Sequence, residues 1–331
     1  MSVLRRMLPR TGQLALVLWV AVTLNFALPH LAPGDPVDFK YSGDAGSLSE
    51  EDLGVIRKEY GLDRSLPQQY VSFWQGLVKG DLGKSVHYNR PVSEVLLERM
   101  PWTVALVGLG TAASALVGVL LGAAAAWRRG SRRDAGVVMG VLALDAMPGF
   151  WIGMILIAVF AVELGWLPSF GAALIDTAGV DRVVDVVQRL ILPVVTIVLA
   201  TLGAVFLLAR AAMVSVLDEP FVRLARAKGI SERRIALRHV LRNALLPVFT
   251  NLTLSVGMLL SGAVVVETVF AYPGLGRLIY EAVVARDYPL LQGAFLFVTL
   301  GVILANLAAD LTYPLLDPRV RRAGRPAPVA G

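Results

Sequence analysis

The chain has 331 residues, of which 56% are hydrophobic and only 17% are charged, whereas soluble domains carry about 25% charged residues. This composition excludes most soluble enzymes and disordered proteins, and it predicts a membrane protein with several spans. The chain has no cysteine, which excludes disulfides, thiolate catalysis and cysteine-ligated metals.

Six charge-poor segments are long enough to cross a bilayer. About 20 apolar residues span the hydrocarbon core as a helix, and backbone groups in lipid must form their hydrogen bonds within the segment. The predicted fold class is therefore all-α, a polytopic membrane protein with six transmembrane helices. The segments are 11–34, 100–127, 135–162, 190–209, 243–266 and 288–309.

The first segment has two interpretations. Arg5, Arg6 and Arg10 precede an apolar stretch, as in a secretory signal peptide. No small-residue cleavage site follows, because the stretch continues into a proline-rich run at 29–36. A retained anchor helix is therefore favoured, whereas cleavage would leave five spans.

The basic residues predict the orientation of the spans. Of the 31 Lys and Arg, 19 lie in the amino terminus, in the links after the second and fourth segments, and in the tail, all on one side of the membrane. The segment 35–99 on the other side is net acidic. Both termini are therefore expected in the cytoplasm of a multi-pass protein of the inner or plasma membrane. This topology explains the net charge of +6 without a nucleic-acid partner.

Among the carboxylates in or at the ends of the apolar segments, Asp145 and Glu267 are singled out. Asp145 interrupts the third segment and is followed by Pro148 and Gly149, and Glu267 ends the fifth. Charge at membrane depth is costly and usually faces a pathway or a partner. Asp145 and Glu267 are therefore candidate pathway or gate residues, while a structural role between helices remains open.

The link 218–247 contains two amphipathic patterns. Pro220 suits a first helical turn, and Gly229 suits the end of that helix. Phe221, Leu224 and Ala225 form its apolar side. Ser231 is predicted to cap a second helix. Such a surface helix pair is expected to contact a partner, the alternative being anionic membrane lipid.

Two motifs in and after this link are distinctive. Residues 223–231 read Arg-Leu-Ala-Arg-Ala-Lys-Gly-Ile-Ser, and 241–247 read Leu-Arg-Asn-Ala-Leu-Leu-Pro. These motifs resemble the oligopeptide/dipeptide/nickel branch of ABC-importer permeases. The resemblance covers nearly the whole chain. Further matching stretches are 32–36, 60–70, 80–85, 164–168, 266–277, 286–293 and 317–319.

The resemblance implies a type I ABC-importer permease fold. It implies an anchor helix and extracytoplasmic segment at 1–93, a permease core at 94–313 with a coupling loop at about 218–245, and a cytoplasmic tail at 314–331. Arg223 stands where the wider family has Glu, so an acidic contact to the ATPase cannot be transferred. The residues implied to couple to the ATPase are Arg223, Ala225, Arg226, Ala227, Lys228, Gly229 and Ser231.

The resemblance also implies the function and the partners. The expected function is the translocation pathway of a peptide importer, with nickel or an oligosaccharide as alternative cargo. The implied partners are a second permease subunit, two cytoplasmic ATPases and an extracytoplasmic solute-binding protein. The chain has no nucleotide-binding motif, so ATP and Mg are expected on the ATPases, with no cofactor or metal here. A rival from another class is an ion-coupled secondary transporter.

Overall fold

The computed structural model describes residues 2–31, 37, 50–173 and 179–316. These residues are almost entirely helical, and the strand pairing found among them is one isolated bridge between Lys84 and Pro91. The prediction of an all-α fold is therefore confirmed. The tail motif 317–319, the stretch 32–36 and the predicted tail beyond residue 316 lie outside the described residues.

The chain divides into two compact units. One comprises Met1–Thr103 and Pro273–Gly301, and the other comprises Val104–Tyr272 and Val302–Gly331. The helices in chain order are α1 (Ser2–Leu31), α2 (Glu50–Glu59), α3 (Leu66–Lys79), α4 (Val92–Trp127), α5 (Arg132–Asp145), α6 (Gly149–Leu156), α7 (Gly179–Leu217), α8 (Pro220–Ala227), α9 (Leu241–Val269), α10 (Leu275–Val284) and α11 (Tyr288–Leu316). A π-helix, Ile157–Glu163, continues α6.

Long apolar helices occupy the segments predicted to cross the membrane. Within the described ranges, three helices are long and apolar enough to span: Val92–Trp127, Gly179–Leu217 and Tyr288–Leu307. A fourth span is formed if Arg132–Asp145 and Gly149–Glu163, which are separated by a bend, cross the membrane as one broken helix. The first predicted segment lies on α1, whose shorter apolar part is Leu16–Leu31, and the fifth lies on α9.

The third predicted span, 135–162, is broken into two helices. The scarcity of charged residues in this segment did not predict the break. The axes of Arg132–Asp145 and Gly149–Glu163 differ by 95°. Pro148 precedes the second helix in an extended conformation (φ −60°, ψ 136°). Its ring removes an N–H donor and disfavours a helical residue before it. The break therefore follows from Pro148, which the hydropathy of the segment does not register.

The broken span still follows α7 along its length. Its contacts with α7 move steadily from the Arg210 end of that helix toward Thr196. If the chain turned back at the break toward the side of the membrane from which it came, residues after the break would contact α7 progressively closer to Arg210. They contact it progressively closer to Thr196 instead, so the two helices form one broken span. The contacting pairs are Asp134 with Arg210, Asp145 with Gly203, Gly149 with Ala200, and Gly153 with Thr196.

Helix α4 packs against α7 through glycines. A Cβ added at Gly118 would lie 2.7 Å from a methyl carbon of Val205, and one at Gly122 would lie 2.9 Å from the carbonyl oxygen of Phe206. Small residues let helix backbones approach closely, and dispersion contacts drive helix association where water is absent. The α4–α7 contact therefore depends on the missing side chain at these positions.

We predict that Gly122→Ala destabilises the second unit. The new methyl group would meet backbone atoms of α7 at 2.9–3.0 Å, and overpacking of this kind costs about 1–3 kcal/mol. Gly108 on the same helix has nothing within 4 Å of an added Cβ, so Gly108→Ala is the matched control. Thermal unfolding of the purified protein in detergent should show a lower midpoint for Gly122→Ala alone. Equal midpoints would contradict the close packing.

Candidate functional site

Helix α8 is a short helix ended by a glycine turn. Pro220 occupies its first turn, and Gly229 has φ +72°. The Gly229 N–H donates to the carbonyl of Arg226 (2.9 Å), and the Ile230 N–H donates to that of Ala225 (3.2 Å). This pair of bonds is the Schellman motif, which requires a left-handed residue at the turn. The predicted conformation of Gly229 is therefore confirmed, whereas its role in coupling stays a prediction.

The buried face of α8 differs from the sequence prediction. Val222 and Ala225 are buried, in a cluster with Met213, Ile235 and Val240. Phe221 and Leu224, expected on the apolar side with Ala225, are 40% and 56% exposed. Both pairs have the same helical spacing, so periodicity could not choose between them. Ala225 therefore holds the helix in place and is not available to a partner.

The outward surface of α8 combines apolar and basic side chains. We define the docking face as Phe221, Arg223 and Leu224, all exposed. Ala227 and Lys228, also named as coupling residues, are exposed at the end of the helix. Aromatic residues and arginine are enriched where proteins contact each other, so this surface is a candidate for contact with a protein.

The turn after α8 is held by a salt bridge instead of the predicted serine cap. Ser231 lies at the cap position, where its carbonyl accepts from the N–H groups of Arg234 and Ile235, but its side chain makes no capping bond. Arg226 instead donates to Glu232 across the turn at 2.9 Å. Arg226, one of the predicted coupling residues, is therefore engaged within the loop.

The second amphipathic pattern is not a separate helix. A short stretch of α-helix, Glu232–Arg234, leads through a π-helix, Ile235–Val240, directly into α9. Displacement of α8 would consequently act on the end of a long apolar helix. The second helical segment begins after Ser231, as predicted, but it does not end as a short surface helix, because it continues into α9.

Two arginine–aspartate pairs join the ends of the helices around α8. Arg129, in the turn after α4, forms two bonds of 2.7 and 2.8 Å with Asp218, two residues before α8. Arg210 on α7 binds Asp134 on α5 at 2.7 and 2.8 Å. Bidentate pairs fix geometry as well as charge. Sequence reasoning missed both pairs, because their partners lie 89 and 76 residues apart.

The two candidate pathway carboxylates have different surroundings. Asp145 is exposed at the break between α5 and α6 and lies against Gly203, where an added Cβ would overlap its carboxylate. Glu267 is fully buried near the end of α9. The backbone N–H of Tyr272 donates to the Glu267 carbonyl at 2.7 Å. The burial of Glu267 favours a structural role, whereas Asp145 is open to a ligand.

Two motifs of the first unit meet through one buried carboxylate. Asp287 accepts bonds from the Ser85 hydroxyl (2.5 Å) and from the His87 N–H (2.8 Å). Its other oxygen accepts from the Leu290 N–H at the start of α11 (3.1 Å). Asp287 thus ties the loop after α3 to the α10–α11 junction.

We predict that acid loosens the start of α8. The Arg129 guanidinium holds the pKa of Asp218 below its ordinary value. A carboxyl group with a lowered folded-state pKa stabilises the fold above its unfolded pKa, about 3.9, and that contribution is lost as pH falls through the folded-state pKa. Amide exchange in α8, corrected for intrinsic rates, should therefore rise below about pH 4.

Two variants isolate this effect. Asp218→Asn should raise exchange of α8 at neutral pH and remove its acid dependence. Glu219→Gln, at the exposed neighbouring position, should leave the wild-type pattern unchanged. An unchanged acid dependence in Asp218→Asn would contradict the assignment.

Family comparison gives the class of the protein. Residues 118–322 match the family described as binding-protein-dependent transport system inner membrane component, and residues 3–107 match its N-terminal counterpart. A structural relative is a chain of the MetNI methionine ABC transporter in its inward-facing conformation, with a TM-score of 0.56 and 16% identity over 68% of this chain and 97% of that chain. This likeness supports the type I importer fold.

Curated relatives are similar over almost their full length. The di/tripeptide transport system permease protein DppB of Pseudomonas aeruginosa is 39% identical over 94% of this chain and 97% of that protein. The dipeptide transport system permease protein DppB of Escherichia coli is 38% identical, over 96% and 99%. The glutathione transport system permease protein GsiC of Pectobacterium atrosepticum is 38% identical, over 92% and 94%. The chain therefore belongs to the binding-protein-dependent inner membrane components, as an ABC-importer permease of the peptide branch.

Proposed function

We propose that this chain lines the translocation pathway of an ATP-driven importer of di- and tripeptides. The observation that carries the proposal is full-length similarity to permeases named for dipeptides, di/tripeptides and glutathione. All three names describe short peptides, which favours this cargo over nickel or an oligosaccharide. The assembly contains a second permease, two ATPases that bind ATP and Mg, and an extracytoplasmic solute-binding protein.

Helix α8 couples the permease to an ATPase. Its docking face inserts apolar Phe221 and Leu224 into a cleft, and Arg223 meets acidic groups at the rim. Val222 and Ala225 attach the helix to the cluster at the start of α9. Movement of the ATPases during ATP hydrolysis is thereby passed to the membrane helices. A helix lying on anionic lipid would use the same basic residues, but it would not require one fixed turn.

The division of the chain follows the same proposal. The anchor helix and extracytoplasmic segment occupy 1–93, the permease core occupies 94–313, and 314–331 forms a tail. Residues 35–99 face outward, while the loop 218–245 and both termini face the cytoplasm. The excess of basic residues in the loop and termini supports this orientation.

We predict that Gly229→Val uncouples transport. A β-branched residue at φ +72° is strained by about 1–2 kcal/mol, which is too little to unfold the helices but enough to displace the docking face. Gly229→Asn is the matched control, because asparagine tolerates the left-handed conformation. ATP hydrolysis and uptake should be measured together in proteoliposomes containing the complete complex.

The valine variant should lose substrate-stimulated hydrolysis and uptake together, or lose the ATPase subunits during purification. The asparagine variant should retain most of both activities. Wild-type uptake and stimulation in Gly229→Val would exclude the coupling role of this turn and favour the lipid-surface interpretation.

The orientation has a direct test on this cysteine-free background. Lys79→Cys and Ser231→Cys introduce single thiols at exposed positions, one in the segment predicted outside and one in the loop predicted inside. A membrane-impermeant maleimide should label Lys79→Cys in intact cells or spheroplasts and label Ser231→Cys only after permeabilisation. Labelling of both from outside would refute the proposed topology.

A further inference from the structure

Asp145 lies near the middle of the broken span. Its neighbour on α7, Gly203, is seven residues from Arg210 at one end of the contact and seven from Thr196 at the other. At a rise of 1.5 Å per residue, each distance is about 10 Å along the helix axis. The carboxylate is therefore well inside the apolar length of α7, away from both of its charged ends.

The Asp145 carboxylate has no partner in the described part of the chain. It accepts no hydrogen bond and forms no ion pair there, and its residue is exposed. Asp134, on the same helix, is buried against Arg210 with two short bonds. A carboxylate facing lipid is costly, and acidic residues in membrane spans usually face a water-filled cavity or pair with another group. The exposure of Asp145 therefore favours a position facing water in a pathway or a cation outside this chain.

The helix break reinforces the negative charge at this point. Asp145 is the last residue of α5, and the carboxyl end of a helix carries about half a negative charge. Irregular backbone at membrane depth is tolerated where it lines a cavity, and the ends of broken helices bind ions in other transporters. The dipole and the carboxylate together attract a positive charge to the break.

We infer that Asp145 and the carboxyl end of α5 form a subsite for the positively charged amino group of the transported peptide. This inference rests on the proposed peptide import. Short peptides differ in their side chains, but every free peptide carries an ammonium group at its amino terminus. A pathway for varied peptides can therefore recognise this group with one carboxylate, whatever the side chains are.

The first test measures uptake of radiolabelled L-alanyl-L-alanine in proteoliposomes containing the complete complex. Asp145→Asn should lower the uptake rate about tenfold, the effect of losing one charged hydrogen bond in a shielded site. Asp145→Glu should recover most of the rate. Glu163→Gln, an exposed carboxylate at the far end of the same broken span, is the matched control and should leave uptake unchanged.

The second test asks whether position 145 is in the pathway. Asp145→Cys should react with a charged, water-soluble methanethiosulfonate, and the reaction should slow when the loaded binding protein is added. Val141→Cys is the control, because Val141 is buried on the same helix and should not react. Absence of reaction at both positions would overturn the inference.

The remaining outcomes separate the two proposals. If wild-type complex imports alanyl-alanine and Asp145→Asn imports it at the same rate, the subsite is wrong and the proposed function stands. If Asp145→Asn loses the second permease during purification, the carboxylate binds a partner subunit and the subsite is again wrong. If wild-type complex does not import the peptide, the proposed substrate fails and the subsite falls with it.

Discussion

The second unit depends on close packing between helices in the lipid bilayer, where no water is present to hydrogen-bond with the helix backbones. Helix α7 carries most of this contact, with α4 on one side through Gly118 and Gly122, and the broken span on another. Each glycine brings two backbones together, where dispersion and not the hydrophobic effect holds the helices. A side chain at these positions would separate helices whose relative placement fixes the rest of the unit.

The broken span can exist because α7 supports it on both sides of the break. Gly149 and Gly153 bring α6 close to α7, while Asp134 binds Arg210 near the start of α5. The peptide groups between Asp145 and Gly149 leave the regular helical ladder, and irregular backbone at this depth needs shielding by protein or water. The break is therefore a feature held in place by packing at both ends.

The sequence predicted what local chemistry determines. Hydropathy located the apolar helices, and the need for a left-handed residue identified Gly229. The sequence placed Ala225 correctly on the packed side of α8, but it did not show that Val222 is buried there while Phe221 and Leu224 are exposed. Both sides of this short helix offer apolar residues at helical spacing, and only packing against Met213 and Ile235 decides between them. The pairing of Asp287 with Ser85, 202 residues away, depends on folding that no local pattern encodes.

The contacts of α8 with neighbouring helices determine which helices would move if a partner pushed on its docking face. Val222 and Ala225 join it to the cluster that includes Met213 of α7 and Ala244 of α9, and Asp218 joins its start to Arg129 after α4. Phe221 and Leu224 of the docking face are exposed, while Arg223 donates to the Asp218 carbonyl at 3.2 Å. A displacement imposed there would consequently act on α4, α7 and α9 together. This shared anchorage suits a concerted rearrangement of the helices better than the movement of one gate.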